Sequence, residues 1–374
     1  MAGFKAVICG ASFAAVEGLL RLRKLAGAAA DVDLVAPNDD LVVRPLAVRQ
    51  PFAFGAPARY PIERIAADAE ANWIQDTVAW VDADARTIAT AGGAELGYDA
   101  LLIAVGGRQV PAFEHVRTFR DDEADETYQG VVQDIEGGYV KHIAFLLPEG
   151  PVWPLPLYEL ALMSAERAYD SNMDDLRFSL VTPDASPMAI FGRAASDAVS
   201  DALAQAGVEV HASAVARVEG ARRVRLEPDG TELEPDSIIA MPSIHGPGIR
   251  GVPGQDEHGF IPIDAACRVP GTDGRIHAAG DAAAYPIKHG GLGAEMADSA
   301  ASSIASLAGV GVEPQPFHPV IRGKLLGGRK PLYLSARLIG AQGFESEVFE
   351  RPPWPEDEKV VAEELGPYLA RLAA

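Results

Sequence analysis

The sequence contains few of the residues that mark several common classes of protein. It has two cysteines among 374 residues, Cys9 and Cys267, and no Cys-x-x-Cys pair. This argues against a disulfide scaffold, a cysteine-based metal site and a paired-thiol redox centre. Cys9 lies in an apolar run and is interpreted as a small buried residue. For Cys267 two interpretations stay open, a lone thiolate and a structural residue.

Long apolar segments and clusters of basic residues are also missing. No stretch approaches the ~20 consecutive apolar residues of a spanning helix, and the first residues do not form a signal sequence. The formal net charge is −21, and no run of Lys or Arg is dense enough to neutralise phosphates, so nucleic acid is excluded as a partner. We therefore expect a cytoplasmic protein with no integral membrane segment, no nucleic-acid partner and no metal.

The sequence does contain an alternation of apolar strands and helices. Phe4–Cys9 predicts a buried parallel strand, Phe13–Leu25 an amphipathic helix, and Val32–Ala36 a second strand, which completes a βαβ unit. A second alternation of this kind runs from His142 to Met241. The pattern predicts an α/β protein with two Rossmann-like dinucleotide-binding domains and a short C-terminal region.

The predicted first domain is discontinuous, because the residues that open and close it lie far apart in the sequence. The C-terminal region is predicted to hold two short strands and a final acidic helix that includes Glu358, Glu363 and Glu364. The predicted boundaries are 1–112 and 260–316 for the first domain, 113–259 for the second, and 317–374 for the C-terminal region.

The first βα turn, Gly10-x-Ser12-x-x-Ala15, has the context of a dinucleotide-binding fingerprint, since it follows a strand and opens a helix. Gly10 allows the tight turn, Ser12 keeps the side chain small where backbone approaches pyrophosphate, and Ala15 permits close packing. The helix N-terminus supplies an anion site. A merely structural turn of small residues is the alternative.

An acidic residue at the end of the second strand would normally hold the ribose hydroxyls, but here the strand continues Ala36-Pro37-Asn38-Asp39. Asn38 or Asp39 contacts the ribose instead, or both are turn residues beside Pro37. The two alternatives stay open.

Two further motifs stand at the start of a helix near residue 290. Gly280-Asp281 follows a buried strand, and Asp281 either faces the ligand or is a turn or capping residue. Lys288-His289-Gly290-Gly291-Leu292 combines a cation, an imidazole and bare backbone, where N–H groups stabilise negative charge. Lys288 and His289 are candidate proton donors, with a solvated lysine and a surface histidine as the alternatives.

Taken in order, these motifs resemble those of the pyridine nucleotide-disulfide oxidoreductase superfamily. Within it the sequence is most similar to the branch of sulfide:quinone oxidoreductases, flavocytochrome c sulfide dehydrogenases and type II NADH dehydrogenases. The resemblance covers nearly the whole chain and rests on Gly10–Ala15, Ala104–Gly107, Gly280-Asp281, Lys288–Leu292 and Arg44-Pro45.

The resemblance implies that FAD is the cofactor. It implies backbone contact of Val78 with adenine, and Gly106 would close the first FAD segment. The residues it assigns to the remaining parts of FAD are Gly10, Ser12 and Ala15 at the pyrophosphate, Asp281 at the ribityl chain, and Arg44 and Pro45 near the isoalloxazine. Gly280, Gly291 and Leu292 are further candidate cofactor-binding residues, and the backbone N–H groups near residue 291 would stabilise negative charge at the pyrimidine side of a reduced flavin.

The sequence also departs from this family in the second domain. NADH-using members have a second glycine-rich turn there, whereas this chain has Pro148–Tyr158, a segment rich in proline that includes Trp153. This predicts that nicotinamide is not bound in the usual manner. Sulfide-oxidising members use a pair of reactive cysteines, which this chain lacks.

The expected function is that of an FAD-dependent oxidoreductase that passes electrons from a small donor through the flavin to a quinone or another acceptor. One alternative is a non-catalytic relative, with or without flavin, that serves as a sensor or partner-binding module. A second alternative is an NAD(P)H-dependent flavin reductase. The identity of the donor and acceptor and a homodimeric assembly stay open.

Overall fold

The computed structural model describes residues 3–327, 330–339, 343–355 and 358–373. Two short 3₁₀ segments, Arg44–Phe52 and Gly280–Ala282, contribute to the site discussed below. The α-helices of the described chain are α1 Phe13–Ala26, α2 Ile62–Asp68, α3 Ala124–Glu136, α4 Leu155–Asp170, α5 Arg193–Gln205, α6 Gly290–Leu307 and α7 Leu365–Ala373.

The strands fall into two large parallel sheets and several small ones. In the first part of the chain they are β1 Phe4–Cys9, β2 Ala30–Val35, β3 Asp40–Val42, β4 Arg59–Pro61, β5 Asn72–Ile74, β6 Val78–Asp82, β7 Thr87–Thr90, β8 Glu95–Gly97, β9 Ala100–Ile103 and β10 Arg108–Val110. The later strands are β11 Arg117–Thr118, β12 His142–Leu146, β13 Arg177–Val181, β14 Val208–His211, β15 Val215–Gly220, β16 Arg223–Glu227, β17 Glu232–Leu233, β18 Ser237–Ala240, β19 Ser243–His245, β20 Ile276–Ala278, β21 Val320–Leu325, β22 Leu332–Ile339 and β23 Gly343–Phe349.

The first parallel sheet joins segments that are distant in the sequence. Its strand order is β20-β9-β1-β2-β5, and every neighbouring pair is parallel. Strands β1 and β9 are fully apolar where they are buried, as expected for strands covered on both faces. Because β20 pairs with β9, the turn after residue 278 lies at the same edge as the turn after Cys9. This edge carries the carboxyl ends of the strands, where open α/β sheets bind ligands.

The second parallel sheet has the order β11-β18-β12-β13-β14. Helices α3, α4 and α5 accompany it, and α4 follows β12 directly in the chain. The predicted α/β class with two Rossmann-like sheets is confirmed by these two parallel sheets. The domain boundaries proposed from the sequence stay a prediction.

The C-terminal region differs from the sequence-based expectation. Three antiparallel strands, β21-β22-β23, form its sheet instead of two short pieces. The last helix, α7, begins at Leu365, so Glu363 and Glu364 precede it. The prediction of an acidic final helix is therefore wrong in this respect: the acidic residues lie before the first turn, where carboxylates interact favourably with N–H groups.

Helices α1 and α6 pack closely because small residues line their contact. A Cβ atom placed on Gly18 would lie 2.7 Å from Leu102 Cδ2 and 3.4 Å from Ala297 Cβ. A Cβ on Gly293 would lie 3.0 Å from the Cα of Gly280 and 3.5 Å from Ala14 Cβ. Larger side chains at these positions would push the two helices apart, so the small residues determine how closely their N-termini approach.

The 3₁₀ segment Arg44–Phe52 belongs to the first βαβ region by sequence but packs on the second sheet's helices. Its buried residues Ala47, Val48 and Phe52 lie in the same hydrophobic cluster as Tyr128 of α3 and Leu160 of α4. The segment therefore bridges the two parallel-sheet layers. Within the part of the chain that the structure describes, no helix is both long and apolar enough to cross a bilayer.

Replacing Leu102 by Ala tests the packing of α1 on the first sheet. Leu102 is fully buried and Leu307, at the end of α6, is 39% exposed. We expect Leu102→Ala to lower the free energy of unfolding by about 2 to 5 kcal/mol, because the shorter side chain would leave a cavity among tightly packed side chains. Leu307→Ala, the matched control, should change it by less than about 1 kcal/mol. Denaturant titration measures both, and equal effects would contradict the described packing.

Candidate functional site

The turn after β1 contains Gly10, which no other residue can replace unless the neighbouring backbone moves. Gly10 has a φ of 126°, and a Cβ atom there would lie 2.2 Å from the Ala104 carbonyl oxygen. Its backbone N–H donates to the Val35 carbonyl oxygen at 2.9 Å. Positive φ and a close backbone approach both favour glycine. The ends of β1, β2 and β9 are thereby drawn together at one edge of the sheet.

The N-terminus of α1 is free to receive an anion. Ser12 stands at the N-cap, but its hydroxyl donates to the Ala104 carbonyl oxygen at 3.0 Å and makes no capping hydrogen bond to the helix. The first N–H groups of a helix have no intrahelical partner, and the helix dipole places positive charge near them. Ser12, Phe13 and Ala14 line a cleft at this point.

The turn after β20 brings a second set of groups to the same cleft. Gly280 has a φ of 69°, and Asp281 follows it in the 3₁₀ turn. Among the described residues, no group hydrogen-bonds to the Asp281 carboxylate or forms an ion pair with it. Burial raises the pKa of Asp281 to about 6, although the nearby ammonium of Lys288 opposes this shift. An unpaired buried carboxylate is a strong acceptor for a ligand hydroxyl.

The start of α6 completes this wall. His289 is the N-cap residue, and its Nδ1 accepts the Leu292 N–H at 3.3 Å. Burial lowers the pKa of His289 to about 3, so the ring is neutral and Nδ1 carries no proton. Gly290 and Gly293 line the cleft with bare backbone. The positive end of an eighteen-residue helix therefore points into the cleft.

Lys288 lies beside Asp281 and is also largely buried. Its Nζ donates to the Ala283 carbonyl oxygen at 2.7 Å and stands 3.6 Å from the centre of the Phe260 ring. Burial lowers the pKa of Lys288 to about 8, and the Asp281 carboxylate opposes this shift. Of the two predicted proton donors, Lys288 is thus the one that can release a proton near neutral pH, because His289 is neutral and serves as a helix cap.

The opposite wall comes from the second sheet and is mostly apolar. It includes a segment, Val152–Pro156, in which Trp153 packs against His289 with ring centroids 4.4 Å apart and against Phe191 at 6.0 Å. The other residues of this wall are Phe119, Met241, Pro242 and Ile244. The two walls therefore contact each other where the Trp153 ring packs on His289, the N-cap residue of α6.

The first turn of α4 cannot bind a phosphate in the way that α1 can. Pro154 stands at its N-cap and Pro156 at its second position, and neither has an N–H. The Leu157 N–H already donates to the Pro154 carbonyl oxygen at 3.0 Å. This helix start therefore lacks the bare N–H groups of a glycine-rich nucleotide turn.

The structure brings together most of the residues singled out from the sequence. Those that line the cleft are Ser12, Arg44, Pro45, Gly106, Gly280, Asp281, Lys288 and His289. Gly10, Ala15, Gly291 and Leu292 are not in this lining but lie within two residues of it in the chain, and all four are buried. Their roles as ligand-binding residues stay predictions.

Two predicted residues lie elsewhere. Asn38 lines a separate polar pocket, which shares only Arg44 and Asp121 with the cleft. Val78 is buried in β6, outside both linings. If these two residues contact one bound dinucleotide, it must extend past the Arg44–Asp121 ion pair, whose atoms are 3.6 Å apart.

Several cleft residues had no sequence signal. Gln109 and Asp121 come from the chain that crosses between the two parallel sheets, and Gln109 donates to Asp121 at 3.0 Å. Lys359 and Val360 come from the residues before α7. Only the fold brings these residues to the cleft, and each belongs to a segment without a recognisable motif. The structure offers no group of three or more metal-ligating side chains within the residues it describes.

Both cysteines lie away from this chemistry. Cys9 and Cys267 are fully buried, and burial raises the pKa of each thiol to about 12. The interpretation of Cys267 as a lone thiolate is therefore wrong, because a desolvated thiol of this kind stays protonated.

Comparison with known proteins gives a fold but no sequence family. No family model matches the chain, and no curated protein matches it either. Solved structures do match. The sulfide:quinone oxidoreductase from Aquifex aeolicus superposes with a TM-score of 0.83 at 17% identity, over 93% of this chain and 87% of that one.

The chain shares the fold of this oxidoreductase. A ferredoxin reductase from Rhodopseudomonas palustris is similar with a TM-score of 0.67 at 19% identity, over 92% of this chain and 88% of that one. NDH2 from Plasmodium falciparum in complex with NADH is similar with a TM-score of 0.61 at 16% identity, over 77% of this chain and 66% of that one. The resemblance inferred from the sequence motifs is confirmed at the level of the fold.

The burial of both cysteines leads to a direct test. At pH 8 the native protein should react with an excess of iodoacetamide at neither thiol, because both groups are protonated and inaccessible. After denaturation in guanidinium chloride, two thiols per chain should be alkylated. Mass spectrometry counts the adducts. Rapid labelling of Cys267 in the native protein would contradict its assigned burial.

Proposed function

We propose that the cleft binds FAD and that the protein is an FAD-dependent oxidoreductase. The observation that carries this proposal is the unpaired Asp281 carboxylate on the same wall as two helix N-termini, those of α1 and α6. A pyrophosphate needs a positive helix end, a ribityl chain needs a hydroxyl acceptor, and a reduced flavin needs stabilisation of negative charge. The cleft offers one group for each requirement.

The residues of the cleft fit FAD in their order along the wall. The N–H groups at the start of α1 would hold the pyrophosphate, with Gly10 allowing the backbone to approach. Asp281 would accept a hydrogen bond from the ribityl chain. Gly290 and Gly291, at the positive end of α6, would face the pyrimidine end of the isoalloxazine. Arg44 and Pro45 would lie near the ring system from the bridging segment.

FAD, when bound, supplies the transfer of a hydride or of electrons, which no side chain of the cleft can perform. The protein's own groups bind, orient and exclude water. Lys288 would hold an exchangeable proton beside Asp281, since its lowered pKa of about 8 lets it lose that proton near neutral pH. His289 keeps the start of α6 in place through its Nδ1.

For the partners of the reaction, we propose a small donor and a quinone or another acceptor. The support is twofold: the fold is shared with a sulfide:quinone oxidoreductase, and the second wall is apolar. Sulfide chemistry through a cysteine pair is not part of the proposal, because both thiols are buried away from the cleft. A cytoplasmic location is part of the same proposal, as is a homodimeric assembly.

A second candidate function is NAD(P)H-dependent reduction, which the fold shared with an NADH-bound protein suggests. Two features count against it here. The start of α4 carries Pro154 and Pro156 in place of bare N–H groups, and Trp153 occupies the wall beside His289. We therefore propose a donor other than a pyridine nucleotide.

Binding of FAD is tested by titration and by the visible spectrum. The purified protein should show, or acquire with added FAD, the bands of a bound oxidised flavin. Asp281→Ala should weaken FAD binding about 10-fold to 100-fold, since a hydrogen bond to a charged group contributes about 1.5 to 3 kcal/mol. Isothermal titration calorimetry measures the affinities.

Asp175→Ala is the matched control for this experiment, because Asp175 is exposed and outside the cleft. It should bind FAD like the unchanged protein. Gly10→Val should abolish binding, because its side chain would displace the Ala104 carbonyl. A folded, colourless protein that takes up no FAD would refute the proposed function and favour a non-catalytic relative.

The choice of donor is tested by anaerobic reduction of the FAD-loaded protein. NADH and NADPH should fail to bleach the flavin band within minutes, whereas dithionite should bleach it at once. The physical reason is the lack of phosphate-binding N–H groups at the start of α4. Bleaching by NADH within seconds would overturn this prediction and favour the reductase.

A further inference from the structure

A buried ion pair, Glu159–Lys359, reaches the cleft through Lys359, which lines it. The Glu159 side chain is fully buried, the Lys359 side chain is 4% exposed, and Lys359 Nζ stands 2.6 Å from a Glu159 carboxylate oxygen. Lys359 Nζ also donates to the Pro45 carbonyl oxygen at 2.8 Å. The second Glu159 oxygen accepts the Leu326 backbone N–H at 2.9 Å. The pair therefore joins α4, the segment Arg44–Phe52, the residue after β21 and the residues before α7.

Net stability does not account for a charged pair at this position. Moving two charges out of water is costly, and apolar side chains of similar volume are often as stable or more so. The neighbours of Glu159 in α4, Tyr158 and Leu160, are fully buried, so an apolar residue would suit this part of the helix. Charge-assisted hydrogen bonds instead hold each partner in one geometry. The pair is therefore better explained by the positions that it fixes.

These positions lie on the surface of the cleft. Pro45 and Val360 both line it, the first as a direct acceptor of Lys359 and the second as its neighbour in the chain. A Cβ atom on Gly290 would lie 3.5 Å from both Val360 methyl carbons. The ion pair thus fixes two surfaces of the cleft, and one of them lies on the first turn of α6.

The turn at the start of α1 is held without this pair. The Gly10 N–H donates to the end of β2, and the Ser12 hydroxyl donates to the carbonyl oxygen of the residue after β9. Among the described residues, the hydrogen bonds of Glu159 and Lys359 go to other segments. Removing the pair should therefore leave the N–H groups at the start of α1 in place.

We propose that Glu159 and Lys359 form a positioning pair for the isoalloxazine ring of FAD: the pair fixes Pro45 and Val360 against the ring and so supplies part of the affinity that FAD has and ADP lacks. This inference rests on the proposed function, because that proposal places the ring in the cleft. Both members are positioning residues, since they act through Pro45 and Val360.

The double variant Glu159→Gln/Lys359→Met removes the pair with little disturbance of the fold. Lys359→Met alone would leave a buried carboxylate without its cation, which is strongly destabilising, whereas removal of both charges is often neutral. The amide oxygen introduced at position 159 can still accept the Leu326 N–H. Circular dichroism shows whether the variant is folded under the conditions of the titration.

Isothermal titration calorimetry of the full-length, flavin-free protein with FAD and with ADP tests the proposal. ADP carries the adenosine and pyrophosphate parts but neither the ribityl chain nor the ring. In the double variant FAD should bind about 10-fold or more weakly, because the Pro45 carbonyl loses its charged donor and leaves its position. The affinity for ADP should change by less than about twofold, because the turn at the start of α1 is independent of the pair.

Three further variants complete the titration. Asp197→Asn/Arg193→Met makes the corresponding exchanges in a surface ion pair of α5, whose side chains are 71% and 93% exposed, and should leave both affinities unchanged. Gly10→Val alters the turn before α1 and should weaken FAD and ADP together. Lys359→Gln, whose side chain ends one atom short of lysine, serves if the double variant does not fold and should lower the affinity for FAD alone.

The visible spectrum is a second measurement, and it decides the question if ADP binds too weakly for calorimetry. At saturating FAD the long-wavelength flavin band of the unchanged protein should differ in shape from that of free FAD, because the ring is covered. In the double variant this band should move toward that of free FAD, because Pro45 and Val360 cover the ring less closely.

A fall of the FAD and ADP affinities by the same factor would overturn the proposal, because it would show a general loosening of the fold. An FAD affinity or a flavin band that is the same in the double variant and in the unchanged protein would overturn it as well. If the unchanged protein binds neither FAD nor ADP, the proposed function itself fails. Binding of FAD without the expected difference refutes the positioning pair alone.

Discussion

The close approach of α1 and α6 is the constraint on which the candidate site depends. Gly293, Gly280 and Ala14 meet where any larger side chain would collide. Because both helices begin at this contact, their positive ends point into one cleft, where helix geometry favours an anionic ligand. Asp281 sits between the two helix starts as an unpaired acceptor.

The two walls of the cleft have different chemistry. The first wall offers backbone N–H groups and a carboxylate. The second offers an indole, prolines and aliphatic groups, with Trp153 in contact with His289. A ligand can therefore be bound through charge on one side and through apolar contact on the other. Such a division suits a tightly held cofactor and a small uncharged reactant.

The C-terminal region contributes to the cleft although it lies more than 300 residues after α1 in the chain. Lys359 and Val360 line the cleft, and the start of α7 is attached to α1 through the Glu17 carboxylate, which accepts the Leu365 backbone N–H at 2.7 Å. Helix α1 thus borders the cleft with its first turn and holds the C-terminal region with the next.

The sequence by itself determined the two parallel sheets and the turns at Gly10 and Gly280, because short apolar strands, small residues and positive-φ glycines are local features that the chain must satisfy. Only the tertiary structure decided that Asp121 and Lys359 line the cleft, that Cys267 is an inert buried thiol, and that Glu17 caps a helix at the other end of the chain. These are properties of burial and of contacts between distant segments. Burial removes water from a charge or a thiol and so sets its protonation, and no local pattern of residues records which segments will do so.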